Sequence, residues 1–404
     1  MNPLFLKRTV LAAVACALAP LAHSQTTEQR IDSLQREIDR LKSDVARVRA
    51  PQESATSIFG YGEFNYNRFR DSERTTKADL RRFVLGVGHR LNDRLTFNSE
   101  LELEHAVASR GDEGEIEVEQ AYLNYRFNDA VNVKGGLFLI PLGILNLTHE
   151  PPTYFGVERN EVETRIIPTT WRELGFGVHG ALGTGGLRYD VGLTTGFNSG
   201  KLDDPATGIG SGHQEGSQAD ARDLSVYGAL NWQRPGFLIG SGVFTGNTGQ
   251  NGQAASALRG VPARLTLWDV HAKYVVGRLD LQALYARGTL GDAARVNVVT
   301  AAPTATAPFA APRSMKGWYG QAAYHVYRRG DIDVAPFARL ERIDIRQQED
   351  ATLGVFQDPN NLERIRTIGA NIYVHPQVVL KADIQRYSTD RTKDRLNLGL
   401  GYMF

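Results

Sequence analysis

Residues 135–180 read GGLFLIPLGILNLTHEPPTYFGVERNEVETRIIPTTWRELGFGVHG, and the interpretation of the whole chain starts from this stretch. Both of its ends resemble strands, but about thirty-five residues in its middle follow neither the period of a strand nor that of a helix. Segments of this length without regular structure are uncommon inside a compact domain, where they are functional or disordered. Disorder is not expected, because the segment has many large apolar residues to bury: Phe138, Ile140, Leu142, Ile144, Leu145, Tyr154, Phe155, Ile166, Ile167 and Trp171. We therefore expect the rest of the chain to enclose it.

The chain from Ser57 onward alternates apolar and polar residues with a period of two, which is the pattern of β-strands with two different faces. Residues 95–104 and 396–404 follow it most regularly. The pattern predicts sixteen strands, with an ambiguous inside-outside phase in the second, fourth and fourteenth: 57–69, 79–91, 94–106, 115–127, 130–140, 174–182, 186–197, 222–232, 237–246, 263–275, 278–288, 315–327, 331–344, 362–374, 378–388 and 394–404.

The connections between these strands alternate in length. Seven short turns separate eight long loops, and both ends of the strand-rich region lie on the short-turn side. Strands of about ten residues, an even strand count and this alternation are typical of outer-membrane barrels. The predicted fold is therefore all-β, a 16-stranded antiparallel transmembrane β-barrel over residues 57–404, with an inward-folded third loop, 141–173. A soluble β-sandwich is the alternative, but its loops need not divide by length.

The N-terminal residues differ from the rest of the chain. Residues 1–24 have the charged start, apolar run and small-residue end of a secretory signal peptide. Residues 25–51 carry a three-heptad apolar seam, which predicts a short α-helical coiled coil that acts as a periplasmic oligomerisation segment; an amphipathic helix packed on its own domain is the alternative. The seam residues are Ile31, Leu34, Ile38, Leu41, Val45 and Val48.

Composition excludes several functional classes. The net charge of +1 leaves no basic footprint, so no nucleic-acid partner is expected. The only cysteine, Cys16, lies in the signal peptide, so the mature chain needs no disulfide. We found no Walker loop, GxSxG or HExxH motif, and we predict neither an enzyme nor a cofactor. His149, Glu150, Glu158 and Glu161 have metal-ligating side chains, but they follow no ligand spacing, and no metal site is predicted.

The signal peptide, the coiled coil, the sixteen strands and the third loop together resemble the phosphate-selective porin O/P family. The loop opens with Ile140-Pro141-Leu142-Gly143 and carries His149-Glu150-Pro151-Pro152, and the chain ends in Phe404. The resemblance implies an outer-membrane porin of a Gram-negative bacterium, in contact with outer-membrane lipid, whose water-filled channel passes small polar solutes and ions by passive diffusion. It also implies a homotrimer, and a C-terminal signal at Phe404 that the barrel-insertion machinery reads. The architecture does not by itself imply phosphate selectivity. The phosphate-selective members of the family have a ladder of arginines along the pore wall, and we do not find its residues in this sequence.

Charged residues in the third loop and on the predicted inner wall are the candidate pore residues. The loop contains more acids than bases and no lysine, so weak cation preference or none is expected. Alternatively, these charges pair and only hold the loop to the wall. The predicted constriction residues are His149, Glu150, Glu158, Arg159, Glu161, Glu163, Arg165 and Arg172, and the predicted wall residues are Glu100, Glu102, Glu104, Arg126, Lys134, Arg188, Arg339 and Lys381, with Arg82 less clearly inward.

Three functions remain open from the sequence. The first is the diffusion porin. The second is a structural or plugged barrel whose coiled coil tethers a periplasmic partner, and the third, more remote, is a phosphate-selective or anion-selective porin. Conductance in a planar bilayer separates the first two.

Overall fold

The computed structural model describes residues 37–39, 55–112, 114–202, 207–250, 258–300, 311–347 and 362–404. Their strands are β1 (Thr56–Phe69), β2 (Lys77–Arg90), β3 (Leu95–Glu104), β4 (Ile116–Arg126), β5 (Asn132–Leu139), β6 (Arg172–Leu182), β7 (Leu187–Thr194), β8 (Ser225–Arg234), β9 (Phe237–Asn247), β10 (Arg264–Val276), β11 (Leu279–Leu290), β12 (Ser314–Tyr324), β13 (Tyr327–Arg329), β14 (Ile332–Gln347), β15 (Leu362–His375), β16 (Val378–Tyr387) and β17 (Arg395–Met403). Two helices follow strands, α1 (Glu161–Arg165) and α2 (Ala293–Thr300). Within the described residues, we find no helix that is both long and apolar enough to cross a membrane.

The strands close into one antiparallel barrel. Each strand pairs with its neighbours in sequence, and β1 pairs with both β2 and β17. The short β13 continues β12, because both pieces pair with β14, so the barrel has sixteen strand positions. The backbone of Phe404 closes the seam with two hydrogen bonds to Gly60, of 3.1 and 2.9 Å. The predicted fold and strand count are confirmed.

The two faces of the barrel differ as the alternation predicts. Large apolar side chains stand exposed on the outer face, among them Phe176 and Ile368, which are 72% and 68% exposed. Aromatic residues lie near the short-turn ends, where Trp232, Phe237 and Tyr274 contact one another edge to face. A chain that presents this face to lipid needs all its backbone groups paired, and the closed sheet pairs them.

Two β-bulges explain why the phase of the second and fourth strands was ambiguous. In the β1–β2 ladder, Glu63 pairs with Arg82 and Phe64 with Leu80, so Arg81 is the extra residue. In the β3–β4 ladder the register likewise skips Glu119. A bulge inserts one residue and reverses the alternation beyond it.

The loops at one end of the barrel fill part of its lumen with an apolar core. Residues of loop 3 (140–171) pack with residues of three later loops and with apolar side chains on the inner face of β8–β16. Trp171 is at the centre, with its ring centroid 4.5 Å from Phe244 and 5.2 Å from Phe197. The remaining sector of the lumen, along β1–β4, is lined by charged residues.

The signal peptide and most of the coiled-coil segment lie outside the described residues. Of the six seam residues only Ile38 is described, within a helical stretch at 37–39. Residues 1–54 and 55–404 form separate units, and the coiled coil remains a prediction.

Candidate pore constriction

Loop 3 is organised around the carboxylate of Glu163. This side chain is fully buried and accepts hydrogen bonds from the backbone nitrogens of Ile144 and Leu145, at 2.6 and 2.8 Å. Asn160 begins α1 by capping the Glu163 nitrogen, and its amide donates to the Glu163 carboxylate at 2.8 Å. Glu163 was expected at the constriction, but it lies inside the loop and away from the cavity. We therefore exclude it from the pore lining.

Side chains of the barrel wall hold the backbone of loop 3. Arg339 donates to the carbonyl oxygens of Phe155 and Glu158, at 3.1 and 3.3 Å, and Lys381 donates to that of Gly156 at 2.8 Å. Both bases are buried, at 2% and 6% exposure. Both side chains lie on the inner face of the barrel, and their contacts are those of the alternative in which charges attach the loop to the wall.

Arg165 also acts within this attachment. Its guanidinium lies 2.6 Å from Glu363 on β15 and 3.7 Å from Glu161 on the same helix. The Glu341 carboxylate accepts from the backbone nitrogen of Glu161 at 2.7 Å, opposite the helix N-terminus. The short helix is therefore fixed to the wall at both ends.

Inward glycines give the loop its space. A Cβ atom on Gly401 of β17 would lie 2.2 Å from Pro151, and one on Gly317 of β12 would lie 3.0 Å from Ile166. The first contact excludes any larger residue unless the loop moves. Glycine in a strand often marks such a close approach of another segment.

A cavity of about 400 Å³ separates loop 3 from the charged wall. Loop 3, loop 4 (195–224) and the inner faces of β1–β4 and β17 line it. Four predicted constriction residues face this cavity: Glu158, Arg159, Glu161 and Arg172. In all, its charged lining consists of eight glutamates, Glu63, Glu102, Glu104, Glu115, Glu117, Glu158, Glu161 and Glu215, and five arginines, Arg81, Arg82, Arg159, Arg172 and Arg395, beside His213.

Two arginines carry most of the ion pairs in this lining. The Arg82 guanidinium lies 2.6 Å from Glu63, 3.4 Å from Glu102 and 3.5 Å from Glu104. Arg172 lies 2.5 Å from Glu117 and 3.1 Å from Glu215. Each of these arginines is thus surrounded by carboxylates, which reduces the attraction that it exerts on a passing anion.

A second buried cluster joins loop 3 to the inner faces of β1, β3 and β4. His149 Nε2 is 3.0 Å from Glu119 Oε1, and the His149 ring contacts Tyr61 edge-on at 5.5 Å. Burial disfavours the charged imidazole, but the adjacent carboxylate outweighs it, so the pKa of this loop residue is raised above its usual value. Glu100 brings a further carboxylate within 4.8 Å of both groups and accepts from Gln120 at 2.9 Å. These contacts give each side chain a protein partner.

The other predicted wall residues lie nearer the short-turn end. Arg126 and Arg188 line a cavity of about 660 Å³ on that side, and Arg126 pairs with Asp129 at 2.5 Å. Lys134 pairs with Asp190 at 2.6 Å. Glu150, the remaining constriction candidate, precedes the 3-10 turn Pro151–Thr153 and does not line the 400 Å³ cavity.

Sequence reasoning missed half of the charged lining. Arg81 was missed because the bulge turns it inward beside Arg82. Outside this lining, Glu119 of the His149 cluster was missed for the same reason, beside Gln120. The sequence signal that could have revealed each bulge is a pair of adjacent polar residues within a strand, Arg81-Arg82 in β2 and Glu119-Gln120 in β4. His213 and Glu215 come from loop 4, whose inward packing had no sequence signal that we used.

Comparisons with known proteins agree with this architecture. A family model described as phosphate-selective porin O and P matches residues 58–330, more than half of the chain. An uncharacterized protein of Aquifex aeolicus (strain VF5) is 31% identical over 359 residues, covering 86% of this chain and 80% of that protein. Salmonella typhi OmpF in complex with daunomycin has a TM-score of 0.59 at 15% identity, with 86% and 97% of the two chains covered. The outer membrane channel DcaP of Acinetobacter baumannii has a TM-score of 0.53 at 14% identity, with the same coverage.

The two solved structures are only 15% and 14% identical to this chain, so they support the fold alone. The assignment to a family rests on the family model. The closed sixteen-position barrel, its apolar outer face and its charged inner cavity are those of a channel of the outer membrane. The chain is an outer-membrane porin and belongs to the phosphate-selective porin O and P family.

Proposed function

We propose that small polar solutes and ions diffuse passively through the lumen sector along β1–β4, and that loop 3 forms the constriction. The observation that carries this proposal is the position of the charged 400 Å³ cavity, between the wall and a loop attached to the opposite side. An outer cavity of about 1140 Å³ shares Arg81, Glu158, Glu161 and Arg395 with it, so the constriction opens toward the long-loop end.

The charge of the constriction favours weak cation preference or none. Its lining holds eight carboxylates against five guanidinium groups, and Arg82 and Arg172 are already paired. Charges of both signs within one narrow passage produce a transverse field, which orients polar solutes without strongly selecting one sign of ion.

A saturable phosphate site is not part of this proposal. Phosphate recognition requires donors that are not committed to carboxylates. Arg82 has three glutamates within 3.5 Å, and Arg172 has two, Glu117 at 2.5 Å and Glu215 at 3.1 Å. The lining residues of the described constriction include no lysine.

Reconstitution into a planar bilayer tests the proposal. We expect stepwise conductance, a reversal potential near zero or slightly cation-selective in a KCl gradient, and no decrease in chloride current on addition of millimolar phosphate. Absence of conductance steps would support a plugged, structural barrel instead. Block of the chloride current by phosphate would support the anion-selective alternative.

We further propose a trimer whose periplasmic N-terminal segments, residues 25–51, associate as a short coiled coil. The exposed apolar outer face supports association, and the three-heptad seam supplies a second contact. Mass photometry in detergent should give a trimer for the full chain, and a chain lacking residues 25–51 should dissociate at lower concentration. Dimers alone would contradict this proposal.

A further inference from the structure

The outer face of the barrel is strongly basic in one sector. Six exposed basic residues face outward within a few positions of the long-loop ends of β11, β12, β14, β15 and β16. We call this set the basic arc: Arg287, Lys316, Arg342, Arg364, Arg366 and Arg386.

The basic arc consists of three like-charged cross-strand pairs. Arg287 lies directly opposite Lys316 on the neighbouring strand. Arg342 faces Arg364 in the same way, and Arg366 faces Arg386. Directly opposed side chains have their Cβ atoms about 5 Å apart, and like charges at such positions destabilise a sheet. An isolated barrel therefore gains nothing from this arrangement, whereas an anion placed between each pair would make it favourable.

The protein itself compensates this charge only in part. Within the part of the chain that the structure describes, Arg386 pairs with Asp394 at 3.0 Å, and Lys316 lies opposite Asp344 on β14 in the strand register. The Arg342–Arg364 pair has no carboxylate directly opposite it on these strands. Outward positions at the corresponding ends of β4, β6, β7 and β8 carry exposed apolar residues instead: Ile116, Leu174, Leu193 and Val226. Directly opposed pairs of bases thus cluster on the side of the barrel formed by β11–β16.

An apolar groove of about 720 Å³ begins beside the basic arc and runs along the outer wall. Small side chains form part of its lining, Ser241, Ala272 and Ala283, on three neighbouring strands. Tyr285 and Trp318 border it two residues below Arg287 and Lys316 respectively. A molecule held at that basic pair can therefore place an alkyl chain in the groove.

We propose that the basic arc and the groove bind a phosphorylated, acylated glycolipid of the outer leaflet. Phosphate groups would bridge the opposed basic side chains through charge-assisted hydrogen bonds, and an acyl chain would fill the groove. The proposal rests on the porin assignment and on the long loops facing outward from the cell. The lipid is chosen over free phosphate because the basic residues and the groove adjoin each other, and free phosphate uses only the former.

Lipid titration of the purified, delipidated protein in detergent tests this inference. Lipid A, an acylated glucosamine disaccharide carrying phosphate, should raise the thermal unfolding temperature, and phosphatidylethanolamine and inorganic phosphate at equal concentration should not. Replacing one opposed pair, R342Q with R364Q, should weaken lipid A binding roughly tenfold, because charge-assisted hydrogen bonds are lost. The matched control is R68Q, since Arg68 also faces outward but lies opposite Leu396 and not a base.

Three outcomes would overturn the inference: equal stabilisation by inorganic phosphate, equal stabilisation by phosphatidylethanolamine, or an equal loss of affinity in R68Q. If the pair variant does not fold, A283W is the alternative test. Its indole ring would fill the groove and leave the basic arc intact, so lipid A binding should weaken. Unchanged binding by A283W would then count against the proposal. Conductance of the folded variants is measured separately, so a failure of the lipid site is distinguishable from a failure of the pore assignment.

Discussion

The phenolic oxygen of Tyr319, on the barrel wall, lies 2.8 Å from Oε2 of Glu163, at the centre of loop 3. Both residues are buried, and Gln282 donates to the same phenol at 2.6 Å. Wall and loop thus share one continuous hydrogen-bond network under the apolar core. Because a buried carboxylate with several donors is stable only while all of them are present, this network makes the position of the loop sensitive to single substitutions.

Replacing Glu163 with Gln should therefore destabilise the loop. The amide NH2 would face donors on Ile144, Asn160 or Tyr319, and a cost of about 3 kcal/mol is expected for hydrogen bonds lost from a charged group and donors left unpaired. Thermal unfolding measures this loss of stability. Single-channel current recordings of the variant should also become noisier. Glu150→Gln is the matched control, since Glu150 is a partly buried acid of the same loop. Equal unfolding temperatures for both variants would contradict the organising role of Glu163.

The His149–Glu119 pair should make stability depend on pH. The raised pKa of His149 means that folding favours its protonated form, so this contribution is complete below the usual histidine value of about 6.5 and is lost as the pH rises through the folded-state pKa. The unfolding temperature should fall over that interval in the native protein. His149→Gln should flatten this part of the profile, and an unchanged slope in the variant would assign the pH dependence to other groups.

A larger side chain at Thr164 should narrow the channel. Thr164 is exposed, lines the 400 Å³ cavity and belongs to α1, where the loop is fixed at both ends. Thr164→Trp should reduce single-channel conductance roughly by half, since conductance follows the narrowest diameter. Thr164→Ser should leave it near the native value. If the Trp variant conducts like the native protein, loop 3 does not border the ion path.

Neutralising lining carboxylates should move ion selectivity toward anions. Glu115 is exposed and Glu158 borders both the constriction and the outer cavity. The double variant E115Q/E158Q should change the permeability ratio roughly twofold, most clearly at low salt, where screening is weakest. Reversal potentials measure this ratio. Glu73→Gln, an exposed acid that lines neither cavity, should have no such effect, and an equal shift there would indicate a general surface-charge effect.

Loss of Phe404 should impair assembly more than stability. Its backbone makes two hydrogen bonds to Gly60, and its side chain is half exposed on the outer face. If insertion machinery reads this residue, Phe404→Ala should lower the amount of heat-shifted, folded barrel in cells severalfold. Ile58→Ala, which removes an outer side chain of 67% exposure from the adjacent strand, is the control. A native yield for Phe404→Ala would contradict a role as assembly signal.

The sequence predicted the strands well because each strand carries its own alternating pattern. The exceptions have local physical causes. Arg81 and Glu119 sit at bulges, which a period of two cannot represent. In β15 the buried Ile365 faces inward, and the exposed Arg364 and Arg366 face outward. This reverses the usual pattern of a membrane barrel, in which apolar residues face lipid and polar residues face the lumen. Ile365 belongs to the apolar core inside the lumen, and Arg364 and Arg366 belong to the basic arc.

The candidate site was predicted only in part, because its geometry depends on contacts distant in sequence. The third loop was identified from its length and its apolar content. Which of its acids face the cavity depends on the donors around each of them. Glu163 accepts hydrogen bonds from backbone nitrogens and from Tyr319 and is buried. Glu158 accepts a hydrogen bond from Asn67 at 2.9 Å and lines both the constriction cavity and the outer cavity. Neither contact follows from spacing along the chain.

The apolar core that fills one side of the lumen has a consequence for ions on the proposed path along the other side. A packed hydrocarbon interior polarises far less than water, so an ion in the cavity has a poorly polarisable body on one flank. Field lines from the wall charges are then confined to the aqueous strip, and each charge acts on the ion more strongly than it would in a fully hydrated barrel. The loops of this porin thereby set the local dielectric environment of the passage as well as its width.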